Sequence, residues 1–249
     1  MLDLRPEDAL HKSYLNRLLI EIVDQPVLAH ALAFKGGSCA AMLGYLDRFS
    51  VDLDFDLVKD ARAGTLREAF HEAFEHLGLQ VLGELDRLLF FQLRYPTDHG
   101  KRSTLKVSVN SMEINANQYR VQYLPEIDRL VNCQTIETMF ANKLVAVTDR
   151  YKLHRTIAGR DIYDIHHFFL RGYSYHAEVI RERTGKSPQD YFEELVSFIR
   201  EHGTQTVINE DLNTLLPPAR FRQIRKVLLP ETLTFLAGEQ TRLANGLLT

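Results

Sequence analysis

The chain has 249 residues, enough for one large domain or two small ones with a substantial buried core. Hydrophobic residues make up 45% and charged residues 25%, which is ordinary for a soluble globular protein. The net charge of −3 and the pI near 6.4 exclude a globally basic, nucleic-acid-binding chain. They do not exclude a local basic surface, because an overall charge says nothing about patches.

Cysteine usage and hydropathy bear on the compartment of the protein. No apolar run approaches the roughly 20 residues that a membrane span requires, and Met1–Arg5 lacks the basic start and apolar segment of a secretory signal. Cys39 and Cys133 have no paired spacing, so we interpret them as free thiols in a reducing compartment. We therefore expect a cytoplasmic protein with no membrane partner.

The first half of the chain mixes helical and extended patterns. Pro6–Val23 predicts an amphipathic helix, because apolar residues recur at helical spacing and Pro6 and Glu7 suit a first turn. Pro26 is predicted to end this segment. Ser38 follows two glycines and is predicted to cap the next helix. The other predicted elements of this half are helices at 27–32, 39–46 and 65–77 and strands at 33–35, 49–58, 79–85, 88–95, 105–110 and 120–124.

From Thr135 onward the apolar period is helical. The predicted helices of this half lie at 135–151, 161–171, 175–184, 188–202 and 218–236. The change of period predicts two domains, an α/β domain over residues 1–130 and a helical domain over residues 131–249.

The acidic strand at 49–58 is the first chemically informative feature. Apolar residues alternate there with Asp52, Asp54 and Asp56, so one face is hydrophobic and the other carries carboxylates. Paired aspartates on one face can hold two Mg²⁺ ions, which clamp the attacking and leaving oxygens of an in-line displacement. Asp56 continues this face and is predicted to be solvated.

A glycine turn precedes the acidic strand. Gly36-Gly37-Ser38 is followed by 13 residues and then by Asp52. Glycines let the backbone approach a triphosphate closely, the start of the next helix offers N–H groups to anions, and Ser38 adds a hydroxyl donor. Neither the turn nor an Asp-x-Asp pair is specific alone. Their order and distance together predict a site for a nucleotide and its metal.

These residues resemble the signature of a known family. Phe34-Lys35-Gly36-Gly37-Ser38 and residues 48–55, which read RFSVDLDF, are similar to that of the AbiEii/AbiGii (MenT-like) nucleotidyltransferase toxins of the polymerase-beta-like superfamily. Residues 142–150, NKLVAVTDR, and 159–164, GRDIYD, resemble further elements of the family. The resemblance implies an α+β fold: a polymerase-beta-like domain with a mixed, mainly antiparallel sheet and flanking helices, followed by an α-helical bundle domain.

The resemblance also implies roles for the residues of the turn and the strand. Gly36, Gly37 and Ser38 would bind the triphosphate of the nucleotide. Asp52 and Asp54 would bind the metal and so be catalytic.

Further roles fall on the predicted helical domain. Lys143 would bind the nucleotide and neutralise phosphate charge in the transition state. Asp161 or Asp164 would act near the acceptor or fix the geometry of the site, and their spacing places both on one helix face. Arg160, a secondary candidate, could with these aspartates form only a helix cap and a salt bridge.

The first half of the chain contains three secondary candidates for the site and one departure from the superfamily pattern. Lys35 could contact phosphate or pair with a carboxylate, whereas Arg48 and Ser50 are interpreted as supporting the strand turn. Superfamily members usually place a third acidic residue on the strand beside Asp-x-Asp, but Ser108 occupies that position here. The identity of the general base therefore stays open.

The activity implied by the resemblance is Mg²⁺-dependent transfer of a nucleoside monophosphate from an NTP, with release of pyrophosphate. The chain would be the toxin of a bacterial toxin–antitoxin or abortive-infection system, with a cognate antitoxin as partner and RNA, above all the tRNA 3′ end, as acceptor. Basic residues within 143–160 and 220–226 would track phosphates if they flank the cleft. A protein hydroxyl as acceptor, or a non-catalytic nucleotide- or partner-binding module, stays an alternative.

Overall fold

The structure is a computed structural model that describes residue 5 and residues 8–59, 61–85, 88–97 and 102–246. Pro6 and Glu7, part of the predicted first helix, lie outside the described residues. The chain forms two compact units. The first runs up to Glu113 and also includes Gln118–Thr135, and the second comprises Ile114–Asn117 and the residues from Ile136 onward.

The first unit contains a sheet with helices. In chain order its elements are α1 (Ala9–Asp24), α2 (Pro26–Ala31), β1 (Leu32–Lys35), α3 (Gly36–Met42), β2 (Asp52–Leu57), α4 (Ala63–His76), β3 (Gln80–Leu85), β4 (Leu88–Arg94), β5 (Thr104–Asn110), β6 (Tyr119–Leu124) and β7 (Arg129–Gln134).

The sheet has the strand order β3-β4-β5-β2-β1-β7-β6. The β1–β7 and β2–β5 pairs are parallel, and the other four pairs are antiparallel. The predicted mixed, mainly antiparallel sheet is confirmed. Strand β2, which carries the aspartates, lies in the interior of the sheet between β1 and β5.

Burial of one face of β2 fixes the direction of its aspartates. Leu53 and Phe55 are buried, and the Phe55 ring lies 5.4 Å from the ring of Phe34 on β1. Each such side chain contributes about 1.5–3 kcal/mol through burial. A shift of register by one residue would move this apolar pair out of the core, so the positions of Asp52 and Asp54 on the opposite face are strongly specified.

The elements of the first unit differ in part from those predicted. Helix α1 ends at Asp24, so the prediction that the first helix ends at Pro26 is confirmed, and Pro26 itself begins α2, where its missing N–H costs nothing. Helix α3 begins at Gly36, before the predicted start at residue 39. Strand β7 was not predicted, and the predicted domain boundary at residue 130 lies inside it. Its signal in the sequence was a pair of apolar residues, Val131 and Cys133, on either side of Asn132.

The second unit is helical. Its elements are α5 (Ile136–His154), α6 (Gly159–Leu170), α7 (Ala177–Thr184), α8 (Pro188–His202), α9 (Gln205–Leu212), α10 (Pro218–Ile224) and α11 (Leu228–Ala244). Helix α6 packs against α5, α9 and α11, and its buried residues include Ile162, Ile165 and Phe168. This helix also carries Asp161 and Asp164.

The last predicted helix, 218–236, is in fact two helices. Pro230 lies in the first turn of α11, where its ring prevents the helix from continuing from the preceding residues. Helix α9 was not predicted, although the hydroxyl of Thr204 accepts from the N–H of Val207 as an N-cap. Within the described part of the chain, no helix is both long and apolar enough to cross a membrane.

Candidate active site

The glycine turn lies directly against the acidic strand. In the β1–β2 register Lys35 lies opposite Asp54, and α3 begins at the next residue, Gly36. Gly36 has φ +77°, a left-handed conformation that favours glycine. A methyl group added there would lie 2.8 Å from Oδ2 of Asp54. Only glycine combines this backbone angle with this close approach.

Ser38 connects the turn to the strand through a different contact from the one predicted. It lies inside α3 and does not cap it. Its hydroxyl donates to the main-chain carbonyl of Asp52, and the residue is buried. The prediction of a helix cap was therefore wrong, because the helix begins two residues earlier. The contact fixes α3 to the first residue of β2.

Asp52 and Asp54 both lie on the partly exposed face of β2. Ser108 lies beside Asp54 in the parallel β2–β5 register, and its hydroxyl donates to Asp54 Oδ1 at 2.6 Å. A serine thus stands beside Asp54 where the superfamily pattern led us to expect an acid. Its hydrogen bond orients the Asp54 carboxylate.

Asp56 is buried, so the prediction of a solvated side chain was wrong. Its carboxylate accepts from Lys35 at 2.5 Å, Asn110 at 3.3 Å, Tyr119 at 3.0 Å and Gln134 at 2.5 Å. A buried charge is stable only when it is paired and hydrogen-bonded, and these donors meet that need. The structure therefore places Lys35 in an ion pair with a carboxylate, one of its two predicted roles.

Arg48 and Ser50 pack against the second glycine of the turn. A methyl group added to Gly37 would lie 2.9 Å from Arg48 Nη2 and 2.9 Å from Ser50 Oγ. The Arg48 side chain is buried and donates from Nη1 to the carbonyl of Phe49 at 3.0 Å. Both side chains thus line the back of the turn.

The donor set on β2 fits a magnesium ion. Mg²⁺ prefers carboxylate oxygen and is usually bound through one or two carboxylates, with waters and substrate phosphates as its other ligands. Asp52 and Asp54 supply two such groups, while Asp56 is occupied by its four donors. No cluster of three or more His, Cys, Asp or Glu side chains suited to a metal occurs in the described residues. Two carboxylates match the number that such a site takes from the protein, and phosphates and waters would complete it.

The second unit contains a buried ion cluster. Lys143 Nζ lies 2.9 Å from Asp161 Oδ1 and 2.9 Å from Asp164 Oδ2. Arg150 Nε lies 3.0 Å from Asp161 Oδ2. Burial alone would raise the pKa of Asp161, but the positive charges of Lys143 and Arg150 outweigh burial and lower it. Asp161 is therefore ionised at neutral pH.

Most of the basic residues within 143–160 form ion pairs inside the second unit. Besides Lys143 and Arg150, Arg160 pairs with Asp211 of α9 at 3.0 Å, and Asp211 also accepts from the main-chain N–H of Arg160 at the start of α6. Lys152 lies 3.7 Å from Asp149. Much of this run therefore forms internal ion pairs, which weakens the idea that it tracks phosphates.

Sequence comparison decides the family. The profile described as "Nucleotidyl transferase AbiEii toxin, Type IV TA system" matches residues 17–234. The chain belongs to this AbiEii family. It is therefore a nucleotidyltransferase of the toxin–antitoxin class, which confirms the resemblance drawn from the two motif groups. A comparison with curated protein sequences gives no match.

Solved structures show the same fold. A candidate nucleotidyltransferase from H. pylori is 21% identical, with a TM-score of 0.58 over 97% of this chain and 98% of that one. JHP933 from Helicobacter pylori is 21% identical, with a TM-score of 0.52 over 98% of this chain and 99% of that one. MenT4, a nucleotidyltransferase toxin from Mycobacterium tuberculosis, is 20% identical, with a TM-score of 0.53 over 96% of this chain and 88% of that one.

Three residues that contact Asp56 of strand β2 were not predicted from the sequence. Asn110, Tyr119 and Gln134 lie on β5, β6 and β7, and all donate to Asp56. Asn110 ends a strand in which buried residues alternate, which was the available signal. Tyr119 and Gln134 carried no local signal, because their approach to Asp56 depends on the strand order.

Proposed function

We propose that the chain transfers a nucleoside monophosphate from an NTP to an RNA acceptor in a Mg²⁺-dependent reaction, with release of pyrophosphate. The tRNA 3′ end is the leading acceptor. The chain would act in the cytoplasm as the toxin of a toxin–antitoxin or abortive-infection system that a cognate antitoxin counteracts. The observation that carries the proposal is the contact of the Gly36 turn with Asp54, on the face that Asp54 shares with Asp52.

In this proposal the turn and the strand divide the work of substrate binding. The main-chain N–H groups of Gly36 and Gly37 bind the triphosphate, which the missing side chains allow to come close. Ser38 holds the turn against β2 through the Asp52 carbonyl. Arg48, behind the turn, supports it and does not touch the nucleotide.

Asp52 and Asp54 hold the metal. Bound Mg²⁺ would neutralise charge on the phosphates and stabilise the attacking and leaving oxygens of the displacement. Ser108 keeps the Asp54 carboxylate in one orientation through its 2.6 Å hydrogen bond. A serine hydroxyl is not a base, so Ser108 orients Asp54 and does not replace the third acid.

The family motif assigns Lys143 the role of supplying a positive charge to the phosphates, and within the second unit Asp161 and Asp164 hold its amine in place. A carboxylate with a lowered pKa has little tendency to take up a proton. We therefore assign Asp161 to positioning Lys143 and not to general base catalysis. Asp164 shares that positioning role.

One experiment tests the proposed function. The purified chain is incubated with each of four α-labelled NTPs and total RNA, with and without Mg²⁺, and RNA and protein are then separated. We expect label in small RNA only when Mg²⁺ is present. Label confined to protein would establish a protein hydroxyl as acceptor, and an absence of labelling with all four nucleotides would contradict the proposal.

A further inference from the structure

The helical unit contains a half-open cavity that has no part in the proposed chemistry. Its volume is about 410 Å³, within the roughly 300–1,000 Å³ range of small-molecule sites. The wall combines three aromatic residues, Phe169, Tyr173 and Tyr175, with Arg181 and Arg242. Aromatic and cationic residues thus border one half-open space.

Part of this wall is held rigidly. The hydroxyl of Tyr175 donates to Glu239, and Arg242 binds the same carboxylate through Nε at 2.7 Å and Nη2 at 2.6 Å. The Tyr175 ring packs edge-on against Phe140 at 6.0 Å and beside Phe192 at 5.2 Å. The cavity therefore presents a fixed pair of a hydrogen-bond acceptor and a planar cation before any ligand arrives.

The wall has one cation that is not held by another lining residue. Its charged residues are Arg181, Glu239 and Arg242, and Glu239 and Arg242 pair with each other, which leaves Arg181 to meet an anionic ligand. Arg181 pairs with Glu178, which is not among the lining residues, and its side chain is 45% exposed. Arg181 can therefore turn toward a phosphate at little cost, whereas Arg242 stays fixed on Glu239.

We propose that this cavity binds one nucleotide of the single-stranded end of the acceptor RNA. Its base lies against Tyr173 and Phe169, its phosphate lies beside Arg181, and the Glu239–Arg242 pair meets the edge of the base. Proteins bind unpaired RNA in this way, by stacking bases on aromatic rings and hydrogen-bonding their edges. The inference rests on the proposed function for the identity of the acceptor.

Binding is measured by fluorescence anisotropy with a short, fluorescein-labelled single-stranded RNA. The protein carries Asp52→Asn and Asp54→Asn, so that no transfer occurs. Tyr173→Leu should weaken binding at least about fivefold, the lower end of what one stacked base contributes. Arg181→Gln should also weaken it and reduce the slope of log affinity against log salt by about one.

Two controls separate these effects from general ones. Tyr123→Leu and Arg200→Gln change an exposed tyrosine and an exposed arginine that do not line the cavity, and they should leave RNA affinity unchanged. Circular dichroism melting checks that each variant is folded. Tyr173 and Arg181 are both partly exposed, so folded variants are expected at both positions.

Competition identifies the source of the nucleotide. Displacement of the labelled RNA by unlabelled RNA, but not by equal concentrations of nucleoside 5′-monophosphates, supports an RNA site. Equal displacement by mononucleotides would show a free-nucleotide site and overturn the RNA assignment. Unchanged affinity in both cavity variants, or no RNA binding at all, would also overturn it. Cavity-dependent binding without RNA labelling by the wild-type chain would instead contradict the proposed chemistry.

Discussion

Gly36 allows the turn and the acidic strand to fit together, and its replacement is the first prediction at the scale of a residue. Gly36→Ala combines a left-handed backbone, φ +77°, with a methyl group 2.8 Å from Asp54 Oδ2. We expect a loss of stability of about 1–3 kcal/mol and a loss of transfer of up to about 100-fold, since small displacements of reacting groups have effects of that size. Urea unfolding and labelled-NTP transfer measure the two effects.

Gly44→Ala is a matched control for that variant. Gly44 has φ +76°, but an added methyl group would have no atom within 4 Å. It should show the backbone cost alone and retain transfer activity. Equal activity in the two variants would mean that the contact between Gly36 and Asp54 has no catalytic importance.

Asp56 gives a second prediction at this scale. Asp56→Asn removes the charge that pairs with Lys35 while keeping the size of the side chain. We expect a loss of about 3–5 kcal/mol in the free energy of unfolding, the usual result of breaking a buried ion pair from one side. Tyr119→Phe removes a single donor to the same carboxylate and should cost only about 1–3 kcal/mol. Equal losses in urea unfolding would contradict the assignment of Asp56 as a buried ionic centre.

At the scale of elements, local patterns predicted β2 and its faces because alternation of apolar and acidic residues depends on neighbours in sequence. The same patterns failed where a contact between distant segments decides the structure. Asp56 looked solvated because its donors come from β1, β5, β6 and β7. The start of α3 was misplaced because local patterns do not show that Gly36, at φ +77°, lies close to Asp54. The break before α11 differs, because Pro230 is a local signal for it in the sequence.

Helix α1 provides a prediction about pH. His11 Nε2 donates to the carbonyl of Val51 at 2.9 Å, directly before β2, and Nδ1 lies 2.9 Å from the hydroxyl of Tyr95. Burial lowers the pKa of His11 from 6.5 to about 4. The unfolded chain therefore binds a proton at a higher pH than the folded one. The contribution of His11 to stability should be complete above pH 6.5 and decrease, by up to about 3 kcal/mol, as the pH falls toward 4.

The comparison with His11→Gln isolates this effect from the titration of carboxylates. The difference in unfolding free energy between wild type and variant, measured in urea at several pH values, should shrink between pH 6.5 and pH 4. A difference that stays constant over this range would show that His11 is not buried in its neutral form.

At the scale of the whole molecule, the family signature is divided between the two compact units. The turn and the aspartates of β2 belong to the first unit, and Lys143 with its two aspartates belongs to the second. Sequence alone identified the family because each motif is local. Sequence alone could not identify the donors to Asp56, which come from separate segments of the first unit. Nor could it identify the 410 Å³ cavity, whose residues come from separate segments of the second unit.

The central claim is that Asp52 and Asp54 carry the transfer reaction by holding a divalent metal beside the glycine turn. Its most direct measurement is the rate of Mg²⁺-dependent labelling of RNA by Asp52→Asn, Asp54→Asn and the double variant, with Asp128→Asn, an exposed aspartate of the same unit, as control. We predict at least an approximately 100-fold loss in each site variant, a size typical for the removal of one group that stabilises transition-state charge, and full activity in the control. Transfer that persists in a folded double variant would contradict the account.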